Sequence, residues 1–237
     1  ALFSSLLAVV AFFIVLRQET FNANRRFDRV ARGRFLKFAL GVSASGTLNA
    51  ARQRGEILAV GAVLDPSAAA LYGVAYRLAA LVSRFSESAR LAVYPEFSRM
   101  LAAGNSERAL KMAHLLSRWT LLIALAVTSF IAAFGADILE VIFGKQYRDA
   151  ARMLTVLSAA NAIFASIFAY VSLVQITHGS WEFFKLNLLS FACFTIFAVL
   201  GPQWFGFNGV GLGALSFSAI LCGLCLYRLR PRTVGVI

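Results

Sequence analysis

Residues 186–227 contain no ionisable side chain other than Cys193, Cys222, Cys225 and the closing Tyr227. This run of 42 residues is interrupted near its middle only by Gly201-Pro202-Gln203-Trp204. A helix needs about 20 apolar residues to cross a hydrocarbon core about 30 Å thick, so the run reads as two crossings joined by a tight turn. The solvent for most of this chain is therefore lipid, and each polar group has to be judged against it. Composition agrees: 14% of residues are charged and mean hydropathy is +0.74, whereas a soluble chain carries about 25% charged residues.

Hydropathy places segments at 1–16, 35–63, 68–93, 119–136, 153–176, 183–200 and 209–227. The first is short for a full crossing and reads as a helix cut at its start, so the sequence is expected to be a piece of a longer chain. The fold expected is an all-α polytopic membrane protein: one truncated helix, then a six-helix lobe of a two-lobed transporter. In domain terms, 1–34 is the end of an N-terminal lobe with a basic linker, and 35–237 is the C-terminal lobe. Asp65-Pro66 marks a helix start, Asp65 as the N-cap, and that helix is expected to end near Tyr94-Pro95. Residues 106–118 form an amphipathic helix expected to lie along the membrane.

The net charge of +12 would suggest nucleic acid in a soluble protein, but the basic residues sit at the ends of apolar runs and no nucleic-acid-binding motif is present. The segments at 17–34, 94–118, 177–185 and 228–237 hold 14 of the 23 Lys and Arg residues, against three in the loops on the other side. The richer side is expected to be cytoplasmic, and with it the C-terminus. Trp119, Trp181 and Trp204 fall at segment boundaries, as an aromatic belt would place them. Cys222-x-x-Cys225 has no preceding strand or neighbouring His and reads as a packing pair. No metal or cofactor site is implied.

Charges inside apolar segments are the candidate functional groups. An arginine at the bilayer centre costs about 2.5–3.5 kcal/mol, and each Leu or Val returns only about 0.3–0.6 kcal/mol. Arg77 and Arg84 lie near the middle of the third segment, seven residues apart and so within roughly 20° of one helical face. They are expected to face protein or water and to line a substrate path. Glu87 stands three residues from both Arg84 and Arg90 and is able to pair with one of them. In the second segment Arg52 and Glu56 are spaced to pair on the helix surface, with Arg54 pointing elsewhere. These three either line the outer part of a cavity or mark the helix end. Ser158 and Asn161, three residues apart, offer hydrogen bonds to a sugar or to a neighbouring helix. Gly209 and Gly213 form a small-residue packing pair.

Three runs carry a resemblance: Arg54-Gly55-Glu56-Ile57-Leu58-Ala59-Val60-Gly61, Ala70-Leu71-Tyr72-Gly73-Val74-Ala75-Tyr76-Arg77-Leu78 and Tyr94-Pro95-Glu96-Phe97-Ser98-Arg99. Together with Ile142-Phe143-Gly144-Lys145-Gln146-Tyr147 they make residues 35–200 resemble the C-terminal lobe of bacterial polysaccharide flippases. These belong to the multidrug/oligosaccharidyl-lipid/polysaccharide exporter superfamily. The resemblance implies a non-enzymatic inner-membrane transporter of twelve or fourteen helices that moves lipid-linked saccharide outward by alternating access. Its partners would be that substrate, the bilayer and an N-terminal lobe. It also implies that Arg77 and Arg84 hold a polyprenyl pyrophosphate, with Arg52, Arg54 and Asn161 as further binding candidates. Glu56 stands where the family often has aspartate.

Two other readings have different requirements. A cation-coupled drug antiporter of the same superfamily needs buried carboxylates, for which Glu56 and Glu87 are the candidates. A membrane-embedded glycosyltransferase or polymerase needs a large polar loop, and the longest outer one, 137–152, offers only Asp137, Glu140 and Asp149.

Overall fold

A computed structural model describes residues 29–63, 66–205 and 207–229. The expectations for 1–16 and 17–34, for the Asp65 cap and for Trp204 fall wholly or largely outside what is described. The chain divides into two compact units, Ala1–Lys37 and Phe38–Ile237; all interactions described below lie within the second. The described residues are helical, with no strand among them: α1 Arg29–Val63, α2 Pro66–Ala79, α3 Leu81–Ala102, α4 Ser106–Phe143, a 3-10 helix Lys145–Ala150, α5 Ala151–Ser166, α6 Phe168–Thr177, α7 Ser180–Phe205 and α8 Phe207–Arg228. Stretches long and apolar enough to cross a membrane occur at Ser106–Phe143, Ser180–Ala198 and Gly211–Arg228. The pair Lys145–Ser166 and Phe168–Thr177, bent by 41°, makes a fourth if counted as one span. This is an all-α polytopic membrane protein. Of the second and third expected crossings, α1 and α3 carry too much charge for that apolarity, and α2, at 14 residues, is too short.

Glycine ends three of the helices. Gly104, Gly144 and Gly179 have φ of 76°, 100° and 86° and follow α3, α4 and α6. In that left-handed region a Cβ is strained, so the chain turns there at least cost.

Several boundaries differ from those expected. The third segment is two helices, broken at Ala80, where Ser83 Oγ lies 3.0 Å from the Ala80 carbonyl oxygen. It does not end at Tyr94-Pro95 but runs through Pro95 to Ala102. A proline removes one backbone donor, and neighbouring helices re-satisfy the freed group. Residues 106–118 do not form a separate surface helix: α4 is continuous over 38 residues. At 1.5 Å per residue this is about 57 Å, well beyond one hydrocarbon thickness, so its charged first turns extend along the axis of the apolar part. The supposed outer loop 137–152 is the last turns of α4 and the 3-10 helix.

Two apolar clusters hold the second unit together. One gathers Phe97, Ala113, Phe168, Val174, Phe217 and Leu221. The other gathers Val60, Tyr72, Ala75, Leu139, Leu154 and Leu157. Small residues set the closest approaches, as expected for helices that pack in lipid. A Cβ on Gly201 would lie 2.6 Å from the Gly209 carbonyl oxygen, and one on Gly213 would lie 3.3 Å from the Phe194 ring. The α7–α8 hairpin therefore packs through Gly209 and Gly213. Cys222 and Cys225 are free thiols inside this packing.

Candidate functional site

The charges of α1 divide by helix face. Arg52 is 8% exposed and Glu56 is wholly buried, and the two form an ion pair one turn apart. This pair lies in the interior, not on the helix surface where the spacing alone would leave it. The Tyr72 hydroxyl donates to Glu56 Oε2 at 2.9 Å. Arg52 Nε donates to Asn49 Oδ1 at 3.3 Å, and its guanidinium carbon lies 4.4 Å from the centre of the Phe217 ring. A buried charge survives only when paired and hydrogen-bonded, and here both partners are met from three helices. Tyr72 belongs to one apolar cluster and Phe217 to the other, so the pair joins them. Arg54, about 200° round the helix from Arg52, is exposed.

Arg77 and Arg84 lie on either side of the break at Ala80, on α2 and α3, and both are exposed. Tyr72, Ala75 and Ala79 on α2 and Ser86 on α3 are buried. At about 100° per residue, each arginine projects from the side of its helix opposite that core face. Neither forms an ion pair or a side-chain hydrogen bond. Glu87 pairs with Arg90 at 2.6 Å and leaves Arg84 free.

An apolar groove of about 630 Å³ lies between α2–α3 and α4, lined by Leu78, Leu81, Phe85, Ile123, Val127 and Phe130 among others; neither arginine lines it. Each arginine is the residue before one that lines the groove, Leu78 and Phe85, and so lies about 100° round its helix from it. Asn161 is engaged at both ends of its amide, accepting from Ser83 Oγ at 3.0 Å and donating to the Leu157 carbonyl at 2.9 Å. The crevice it shares with Arg52 measures about 10 Å³, the size of one water. Ser158 is buried with no partner for its Oγ. Of the acids in 137–152, Asp137 and Glu140 both pair with Arg148.

The sequence reading did not find Tyr72 or Phe217 around Arg52. Tyr72 lies 16 residues from Glu56 and Phe217 lies 165 from Arg52, separations that carry no local pattern. The available signal was a tyrosine within an apolar run, since a buried hydroxyl needs a partner. Among the described residues no group of three or more His, Cys, Asp or Glu could hold a metal.

Comparisons with curated proteins and with solved structures gave no match. A model of the polysaccharide biosynthesis protein family matches residues 1–152, which include the buried pair and both exposed arginines. This match begins before the region of resemblance read from the sequence and stops within it. Since it covers more than half of the chain, the chain belongs to the polysaccharide biosynthesis protein family.

Proposed function

We propose that this chain is part of a flippase that carries a polyprenyl-pyrophosphate-linked saccharide across the bacterial cytoplasmic membrane by alternating access. It would act as one lobe of a two-lobed, non-enzymatic transporter with its C-terminus in the cytoplasm. The observation that carries the reading is the pairing of two free, exposed arginines with an apolar groove on the same helices. A lipid-linked pyrophosphate presents that combination, an anion on a long hydrocarbon tail. Arginine binds phosphate oxygens in two-point fashion, and the groove offers the tail a surface made of Leu, Ile and Phe. Arg54 supplies a third exposed cation on the neighbouring helix.

The antiporter reading has less support, because both candidate carboxylates are already committed: Glu56 to Arg52 and Tyr72, and Glu87 to Arg90. The glycosyltransferase reading lacks a free pair of carboxylates in 137–152, where Arg148 ties up two of the three. The test is surface polysaccharide export in cells that depend on this protein. Arg77→Ala and Arg84→Ala are expected to abolish export while membrane abundance stays normal. Normal export in both variants would sink the proposal.

A further inference from the structure

A second cavity, of about 190 Å³, lies between the middle of α1, α3, the α5–α6 break, α7 and α8. It touches neither Arg77 nor Arg84. Its lining includes three amides, Asn49, Gln175 and Asn187. Gln175 is 6% exposed, and neither end of its amide has a hydrogen-bond partner. Its polar atoms are not among those sealed from solvent without a partner, so they open onto the cavity. Leaving a buried amide unmatched is costly unless something else fills the role. Asn187 is 4% exposed and uses only its NH₂ group, donating to the Ser45 carbonyl at 3.4 Å, which leaves its carbonyl oxygen free. Asn49 uses only its carbonyl oxygen, accepting from Arg52. The free groups are thus both donors and acceptors, the requirement of a ligand whose own groups do both, namely hydroxyls.

Charge and shape narrow the class. Glu87 and Arg90 also line the cavity but neutralise each other at 2.6 Å, so nothing there favours an anion. Phe168 and Phe183 supply flat apolar faces. The volume is below the roughly 300–1,000 Å³ of drug-sized sites, so the space suits one ring. We propose that this cavity binds a single neutral, polyhydroxylated ring: a hexose or N-acetylhexosamine, either free or as the headgroup of a glycolipid. The inference does not rest on translocation. A chain that binds sugar but moves nothing would keep the pocket and lose the flippase.

The test is saturation-transfer difference NMR on the whole chain in nanodiscs free of sugar detergents. Glucose, galactose and N-acetylglucosamine are the probes, with inorganic pyrophosphate as competitor and melting temperature read in parallel. At least one sugar is expected to receive saturation, unaffected by pyrophosphate. Gln175→Leu is expected to weaken that binding about fivefold, the share of one neutral hydrogen bond, with the melting temperature unchanged because Gln175 has no partner to lose. Asn187→Ala should do the same; if that variant unfolds, Gln175→Leu alone decides. Glucosyl-diacylglycerol that displaces free glucose identifies a lipid headgroup as the occupant, and failure to displace it identifies a soluble sugar. Absence of saturation for every sugar, equal binding by Gln175→Leu, or displacement by pyrophosphate overturns the assignment.

Discussion

Replacing Glu56 by leucine tests whether the interior of this bundle is organised around charge. The substitution leaves the Arg52 guanidinium in a site where it is 8% exposed, with Asn49, the Tyr76 hydroxyl and the Phe217 and Phe194 rings as its remaining partners. Breaking a buried pair by removing one member costs about 3–5 kcal/mol. The Tyr72 hydroxyl also loses its acceptor, a penalty of about 1–3 kcal/mol that overlaps with the first. At about 2–4 °C per kcal/mol for a chain of this size, the loss corresponds to a fall in melting temperature of roughly 6–20 °C. Hydrogen bonds between helices in lipid average only about 0.6 kcal/mol, so Ser83→Ala, which removes the contact to Asn161, should move it by a degree or two and serves as the scale. The double variant Arg52→Met/Glu56→Leu removes both charges and should recover most of the loss, since apolar groups of similar volume replace buried pairs at little cost. The assay is thermal unfolding followed by size-exclusion fluorescence in one detergent. A melting temperature for Glu56→Leu within 2 °C of the wild type, or a double variant no better than the single, refutes the reasoning.

Gly201→Ala places a Cβ 2.6 Å from the Gly209 carbonyl oxygen and should lower stability by about 1–3 kcal/mol as the α7–α8 hairpin is forced apart. Gly223→Ala on the same hairpin meets nothing within 4 Å and should be neutral or slightly stabilising; equal effects of the two on melting temperature would contradict the packing. Burial, and after it the nearby Arg228, holds the His178 imidazole below its usual range. The folded chain therefore binds fewer protons than the unfolded one just below about pH 6.5, so the stability linked to His178 is complete above that pH and erodes as pH falls. His178→Gln should flatten the difference in melting temperature between pH 7.5 and pH 5.5. Arg77→Lys and Arg84→Lys keep the charge but lose the fork-shaped donor set. Export should be reduced in them yet above that of the alanine variants if phosphate is what these residues hold.

Much of the helical framework was legible because lipid simplifies the pattern: charge-free runs of about 20 residues are crossings, whatever their periodicity. The boundaries were less so. Pro95 and Ala80 illustrate the reason, since a proline sits inside α3 while an alanine marks the break. In a packed bundle the backbone follows its neighbours, and local propensity is overruled. The Arg52–Glu56 contact was readable from spacing, but its burial was not: Tyr72 and Phe217 enclose it from other helices. Asn187 was not singled out, because it lies in a run read only for its lack of charge, although an amide among apolar residues was itself the signal.

Arg52 and Arg54 stand two residues apart and show the two ways in which a membrane helix tolerates a cation. Arg52 is turned inward and matched by a carboxylate, and its charge is spent on joining two apolar clusters. Arg54 is turned outward and, like Arg77 and Arg84, forms no ion pair. If the outer faces of α2 and α3 met acyl chains, Arg77 and Arg84 alone would cost about 5–7 kcal/mol on insertion scales, near the whole apolar gain of one helix. On the proposed reading this cost is avoided because the face opposite Tyr72, Ala75 and Ala79 borders water, with the apolar groove at its edge meeting lipid. The same division separates the inner site from the outer one. Where Glu87 cancels Arg90, amides and phenyl rings remain for the proposed uncharged ring; Arg77 and Arg84 form no ion pair, and on the proposed reading a phosphate meets their charge.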